Sequence, residues 1–248
     1  SDTKWYTVNW EDKGYMDSRA IFMETSAQPI NITAVSVPSL VATGASTPIT
    51  ITISAAKSAE EIIYLRYTTD AWATSTALPV TMAGTSGTVN IPGQLANTVV
   101  SYYAFSSTVA SLAADYDLAS IKLNNNAGVN YTYTVSPPLT GIKTIPGDYA
   151  SLASAITALN TLGVGTGGVT FNVAAGFTET FASPTAGLIT ASGTAANPIV
   201  FQKSGAGANP IITAGVGTST TVDGIIKIKG GDYITFDAIN LQENALNT

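Results

Sequence analysis

Few residues in this chain could do chemistry. Neither histidine nor cysteine occurs. A Ser-His-Asp triad, a Cys-His pair and a metal site built on imidazole or thiolate are therefore excluded. A glycosidase would need two facing carboxylates about 5–10 Å apart, but Glu60 and Glu61 are adjacent and point opposite ways along an extended chain. The only arginines are Arg19 and Arg66, and residues 141–248 hold Lys143, Lys203, Lys227 and Lys229 as their cations. Lys227 and Lys229, two apart in a strand, share one face and read as solvated. Asp223, Asp232 and Asp237 fall at turns or strand ends. They are the weak candidates for a metal ion, and no EF-hand or calcium-repeat spacing joins them. No cofactor is expected. Flat rings are the remaining binding tool, because sugars stack on them. Trp72, which follows the turn Thr68-Thr69-Asp70-Ala71, is a candidate ligand contact, with Trp5 and Trp10 beside it. Tyr64, Tyr67, Tyr102 and Tyr103 are expected to pack in the fold. Thr166-Gly167-Gly168 and Gly205-Ala206-Gly207 read as turns, since no strand–Gly–helix order with a following Lys makes them phosphate loops.

Composition narrows the class. Charged residues are 10% of the 248, against about 25% in typical domains. The net charge is −6 and no basic run occurs, which argues against nucleic-acid binding. The hydrophobic fraction of 45% suffices for a core and opposes disorder. No apolar run reaches the roughly 18 residues of a membrane-spanning helix. The chain opens Ser1-Asp2-Thr3 with neither an initiator Met nor a signal peptide, and reads as a mature or trimmed product. Low charge with abundant Thr, Ser, Asn and Gly suits an extracellular or bacterial cell-surface protein.

The elements that must position these residues fall into two halves. Residues 1–140 hold 6 of the 22 glycines and 9 of the 11 tyrosines. Pro137-Pro138 marks the change, so a boundary is expected near 136–142. Residues 1–30 read as an extra strand segment. Over 31–136 the runs 31–37, 49–54, 62–68, 88–91, 99–105 and 131–135 are rich in β-branched and aromatic residues, several alternating with period two. About seven short strands over that length predict an immunoglobulin-like or fibronectin-III-like sandwich.

Residues 141–248 predict a helix over 148–162, N-capped by Asp148 or Ser151 and closed by Gly163. Short strands follow between glycine turns: 169–173, 198–202, 210–213, 224–228 and 232–236. The starts at Pro198 and Gly224 lie 26 apart, those at Pro210 and Asp232 22 apart. Read as two interleaved sets, they predict successive coils of a parallel β-helix with the helix as its cap.

Two stretches also resemble known families. Ile63-Tyr64-Leu65-Arg66-Tyr67, Trp72 and Ile91-Pro92-Gly93-Gln94 followed by Thr98-Val99-Val100-Ser101-Tyr102-Tyr103 resemble the Ig-like accessory modules of large secreted bacterial adhesins and polysaccharide-degrading enzymes. Gly168-Val169-Thr170-Phe171-Asn172-Val173 and Asp232-Tyr233-Ile234-Thr235-Phe236-Asp237 resemble the first coils of pectin-lyase-like right-handed parallel β-helices. Such coils are found in polysaccharide lyases and in surface proteins of the type IX secretion route. The resemblance implies a mainly β protein: an Ig-like sandwich followed by the capped start of a β-helix. It implies a secreted adhesin or structural role with carbohydrate binding and no catalytic machinery in these residues. The alternatives are the non-catalytic front of a lyase or glycosidase, or a subunit of an extracellular assembly. The chain stops about two coils after the cap, so it is expected to continue in a longer protein or to meet a protein partner that covers the open end.

Overall fold

The computed structural model describes residues 29–110, 120–217 and 224–247. The strand expected over 1–30 thus lies almost wholly outside the described residues. The fold is mainly β, and the chain divides into two compact units, Ser1–Val135 and Ser136–Thr248.

The first unit holds β1 (Ile32–Val35), β2 (Val41–Ala42), β3 (Thr47–Ile53), β4 (Ile62–Thr68), β5 (Thr76–Val80), β6 (Met82–Ala83), β7 (Ser86–Ile91), β8 (Val99–Ser107), β9 (Lys122–Asn124) and β10 (Tyr131–Ser136). One sheet runs β1-β3-β7-β6, the other β2-β10-β8-β4-β5 with β9 on β8. Alternation makes these strands two-faced: in β3, Thr47, Ile49, Ile51 and Ile53 are buried while the residues between them are not. One core takes Ile49, Ile51 and Ile91 from the first sheet and Ile63, Leu65, Val100, Tyr102 and Ala104 from the second. Each such aliphatic side chain contributes about 1.5–3 kcal/mol by leaving water. The opposite parity of β4 and β8 puts Tyr64, Tyr103 and Phe105 in a separate buried cluster on the second sheet's other face.

The second unit holds β11 (Leu139–Ile145), helix α1 (Leu152–Leu162), β12 (Val164–Ala174), β13 (Thr178–Thr180), β14 (Leu188–Ile189), β15 (Ile199–Ser204), β16 (Ile211–Thr213), β17 (Lys227–Ile228), β18 (Ile234–Asp237) and β19 (Asn240–Gln242). Three parallel sheets form, β11-β12-β15-β18, β13-β16-β19 and β14-β17. Phe171, Phe201 and Phe236 stand in register on β12, β15 and β18. Their rings stack with centroids 4.6 and 4.7 Å apart. Gly168 has φ +80°, and a Cβ there would strike the Pro198 carbonyl, so a side chain would block the approach of the residue that precedes β15.

Two expectations need correction. Spacing matches the run at Pro198 with that at Gly224, and Pro210 with Asp232. Instead Ile199 pairs with Ile234 and Ile211 with Asn240. The Gly224 run yields only the two-residue β17, which lies on β14. Parallel pairing fixes which backbones match and leaves the connecting turns free in length, so run starts are a poor ruler. The helix begins at Leu152, not 148. Ser151 caps it in a capping box with Ser154, while the Asp148 carboxylate accepts from Thr144 N (2.8 Å) and Thr144 Oγ1 (2.9 Å).

Candidate functional site: an aromatic pocket on the antiparallel unit

The turn that leaves β4 is organised by one carboxylate. Asp70 accepts Thr68 Oγ1 (2.6 Å), Thr74 N (2.9 Å) and Thr74 Oγ1 (2.6 Å). These donors hold its carboxyl down at about 2. Thr68 Oγ1 in turn accepts Trp72 N (3.2 Å). Ala71 and Trp72 both take left-handed backbone, φ +55° and +71°. Such conformations cost on the order of 1–3 kcal/mol each in non-glycine residues, so the hydrogen bonds must over-determine the turn.

The turn lays the Trp72 ring against β8, 5.4 Å from the Tyr103 ring. The Arg66 guanidinium lies 5.3 Å from the Trp72 centroid and 5.7 Å from that of Tyr103. Arg66 also donates to Ser75 Oγ (2.8 Å) and Tyr103 Oη (2.7 Å), so the wall is braced by both cation–π and hydrogen bonds. Beneath it Tyr64 stacks on Phe105 at 5.2 Å and donates to the Val109 carbonyl (2.7 Å). Burial pushes the Tyr64 hydroxyl up.

This wall closes one side of an open pocket of about 520 Å³, a size that suits a small ligand. The far side comes from the chain around β9: Ser120, Ile121, Lys122, Leu123, Asn125 and Asn130. A tight asparagine turn shapes it, with Asn125 Oδ1 accepting Gly128 N (3.1 Å) and Asn126 Nδ2 donating to the Asn130 carbonyl (3.1 Å). Eight non-glycine residues have positive φ among those described, and five of them, Ala71, Trp72, Asn126, Ala127 and Asn130, lie in the two loops bordering this pocket. Backbone strain concentrates at functional sites. No carboxylate lines the pocket among the described residues. Stacking faces, amide hydrogen-bond groups and the cations Arg66 and Lys122 are what the described lining offers a ligand.

Of the residues singled out by sequence, Trp72 lies in this pocket. Trp5, Trp10 and Asp223 lie outside the described residues. Asp232 precedes β18 and Asp237 ends it, so the strand holds them apart. Among the described residues no three carboxylates gather around a common point. Lys227 is not simply solvated: it is half-buried and its Nζ donates to the Pro184 carbonyl (3.2 Å). Glu61 is buried, with one oxygen accepting Ile30 N at 3.5 Å and Oε1 unpartnered. Sequence reasoning missed Arg66, Asn125 and Asn130 as pocket residues. A signal for Arg66 existed in its parity with Tyr64 on β4, whereas the asparagines join only through the pairing of β9 and β10 with β8.

Among the described residues no helix is long and apolar enough to cross a membrane. Comparison with known proteins found no matching family model, no matching curated protein and no matching solved structure.

Proposed function

We propose that this is a secreted or cell-surface binding protein that holds a neutral glycan in the Trp72 pocket. The observation that carries the reading is the Trp72 indole, braced on Tyr103 and Arg66 at the wall of an open pocket that carries amide groups on its other side. A sugar ring presents an apolar face to an aromatic ring and a rim of hydroxyls to asparagine amides, and both kinds of partner are in place. On this reading the antiparallel unit is an immunoglobulin-like accessory module. The parallel unit is the capped start of a right-handed β-helix that acts as a structural stalk. Three parallel stacks, the phenylalanine ladder and helix α1 between β11 and β12 support that assignment.

The test is affinity electrophoresis of the protein through gels containing hydroxyethylcellulose, xylan, polygalacturonate, alginate or chondroitin sulfate. Retardation is expected in the two neutral gels and lost in Trp72→Ala, with an unchanged far-UV spectrum. Equal mobility of wild type and Trp72→Ala in all five gels would reject the reading.

A further inference from the structure

We propose that Thr68 and Asp70 are positioning residues of the pocket: together they hold Trp72 in its left-handed backbone and so present the indole to the ligand already oriented. The inference rests on the reading of the Trp72 pocket as a glycan site and adds the device that sets its affinity.

A turn at this point could be made by glycine or asparagine, for which positive φ costs little. The chain places Ala71 and Trp72 there instead, at φ +55° and +71°. A bulky residue in this region is a genuine outlier. The outlier persists because a continuous relay of hydrogen bonds ends on it. Trp72 N–H donates to Thr68 Oγ1 (3.2 Å), and the Thr68 hydroxyl donates to Asp70 Oδ1 (2.6 Å). Thr74 N–H and O–H secure the same carboxylate from the other side (2.9 and 2.6 Å). Thr68 is 2% exposed, so water cannot replace its hydroxyl. The bonds to the carboxylate are charge-assisted and among the stronger kind. Relaxed backbone would let the indole leave Tyr103 and Arg66. A ligand would then have to order it, and that ordering is subtracted from affinity.

Thr68→Val keeps the shape of the side chain and deletes the hydroxyl. Affinity for hydroxyethylcellulose is expected to fall about ten- to a hundredfold, the range for losing a hydrogen bond to a charged group. Thr68→Ser should restore it. The indole ¹H–¹⁵N signal of Trp72, assigned by its loss in Trp72→Phe, should shift in Thr68→Val without ligand and return in Thr68→Ser. Should Thr68→Val fail to fold, Asp70→Ala at the exposed end removes the acceptor of the same relay and is expected to give the same two changes. Wild-type affinity and an unmoved indole signal in a folded Thr68→Val or Asp70→Ala, beside a Trp72→Ala that has lost binding, would overturn the positioning role and leave the glycan site standing. Retention of binding by Trp72→Ala would instead remove the glycan site itself.

Discussion

Asp70 is an exposed residue whose carboxylate has a full set of donors from Thr68 and Thr74. Those donors favour the ionised form and put its folded-state pKa at about 2, against an ordinary 3.8. A depressed folded-state value has a definite sign in the pH dependence. The turn's contribution is complete above 3.8 and is lost as pH falls through about 2. The side-chain carboxyl ¹³C resonance of Asp70 should therefore titrate near 2, and the Trp72 indole signal should stay fixed down to pH 4 and move below it; a midpoint at the ordinary aspartate value would mean the relay is not formed. At this scale the sequence was partly legible. Thr-Thr-Asp-Ala before a tryptophan is local turn chemistry, which is why Trp72 could be singled out. Arg66 lies close in sequence, but Tyr103 and Asn130 reach the pocket from β8 and from beyond β9, and no local pattern encodes that register.

Helix α1 shows how an element is held by its neighbours. Its first N–H groups have no partner within the helix. Glu179, just before the end of β13, supplies one, accepting Leu152 N (2.6 Å) and Ala153 N (3.2 Å). Near the other end Asn160 donates to the Leu188 carbonyl (2.7 Å) and accepts Thr190 N (2.8 Å), tying the helix to β14. Glu179→Ala should destabilise the parallel unit by about 1–2 kcal/mol, the range for losing a helix N-terminal acceptor, read as a lower urea midpoint with unchanged slope. Phe201→Ala should cost more, about 3–5 kcal/mol, since the ring is fully buried between Phe171 and Phe236. A loss no larger than that of Glu179→Ala would mean the ladder adds little to the core. The individual strands of this unit were legible because residues 169–173 and 198–202 are rich in β-branched and aromatic residues and lie between glycine-containing turns. Their order was not: β14 and β19 are too short to stand out, and the turns between strands differ in length.

Across the whole molecule the dominant field is negative, with a net charge of −6 and a pI near 4.4. A polyanion approaching the pocket meets that field, and the lining cations Arg66 and Lys122 answer it only locally, the Arg66 charge being spread over two ring faces. Repulsion between exposed charges acts over about 10 Å at 0.1 M salt and about 3 Å at 1 M. Stacking and amide hydrogen bonds carry no such dependence. Two glycan classes should therefore separate by salt. Retention in hydroxyethylcellulose gels should be the same at about 0.1 and about 1 M sodium chloride. Any retention in polygalacturonate gels should be weaker at the lower salt and rise as the field is screened. The opposite outcome, tight retention by polygalacturonate at low salt that salt abolishes, would mean that ion pairing with Arg66 and Lys122 governs recognition. The ligand would then be an acidic glycan, and the Trp72 face would serve only to align it.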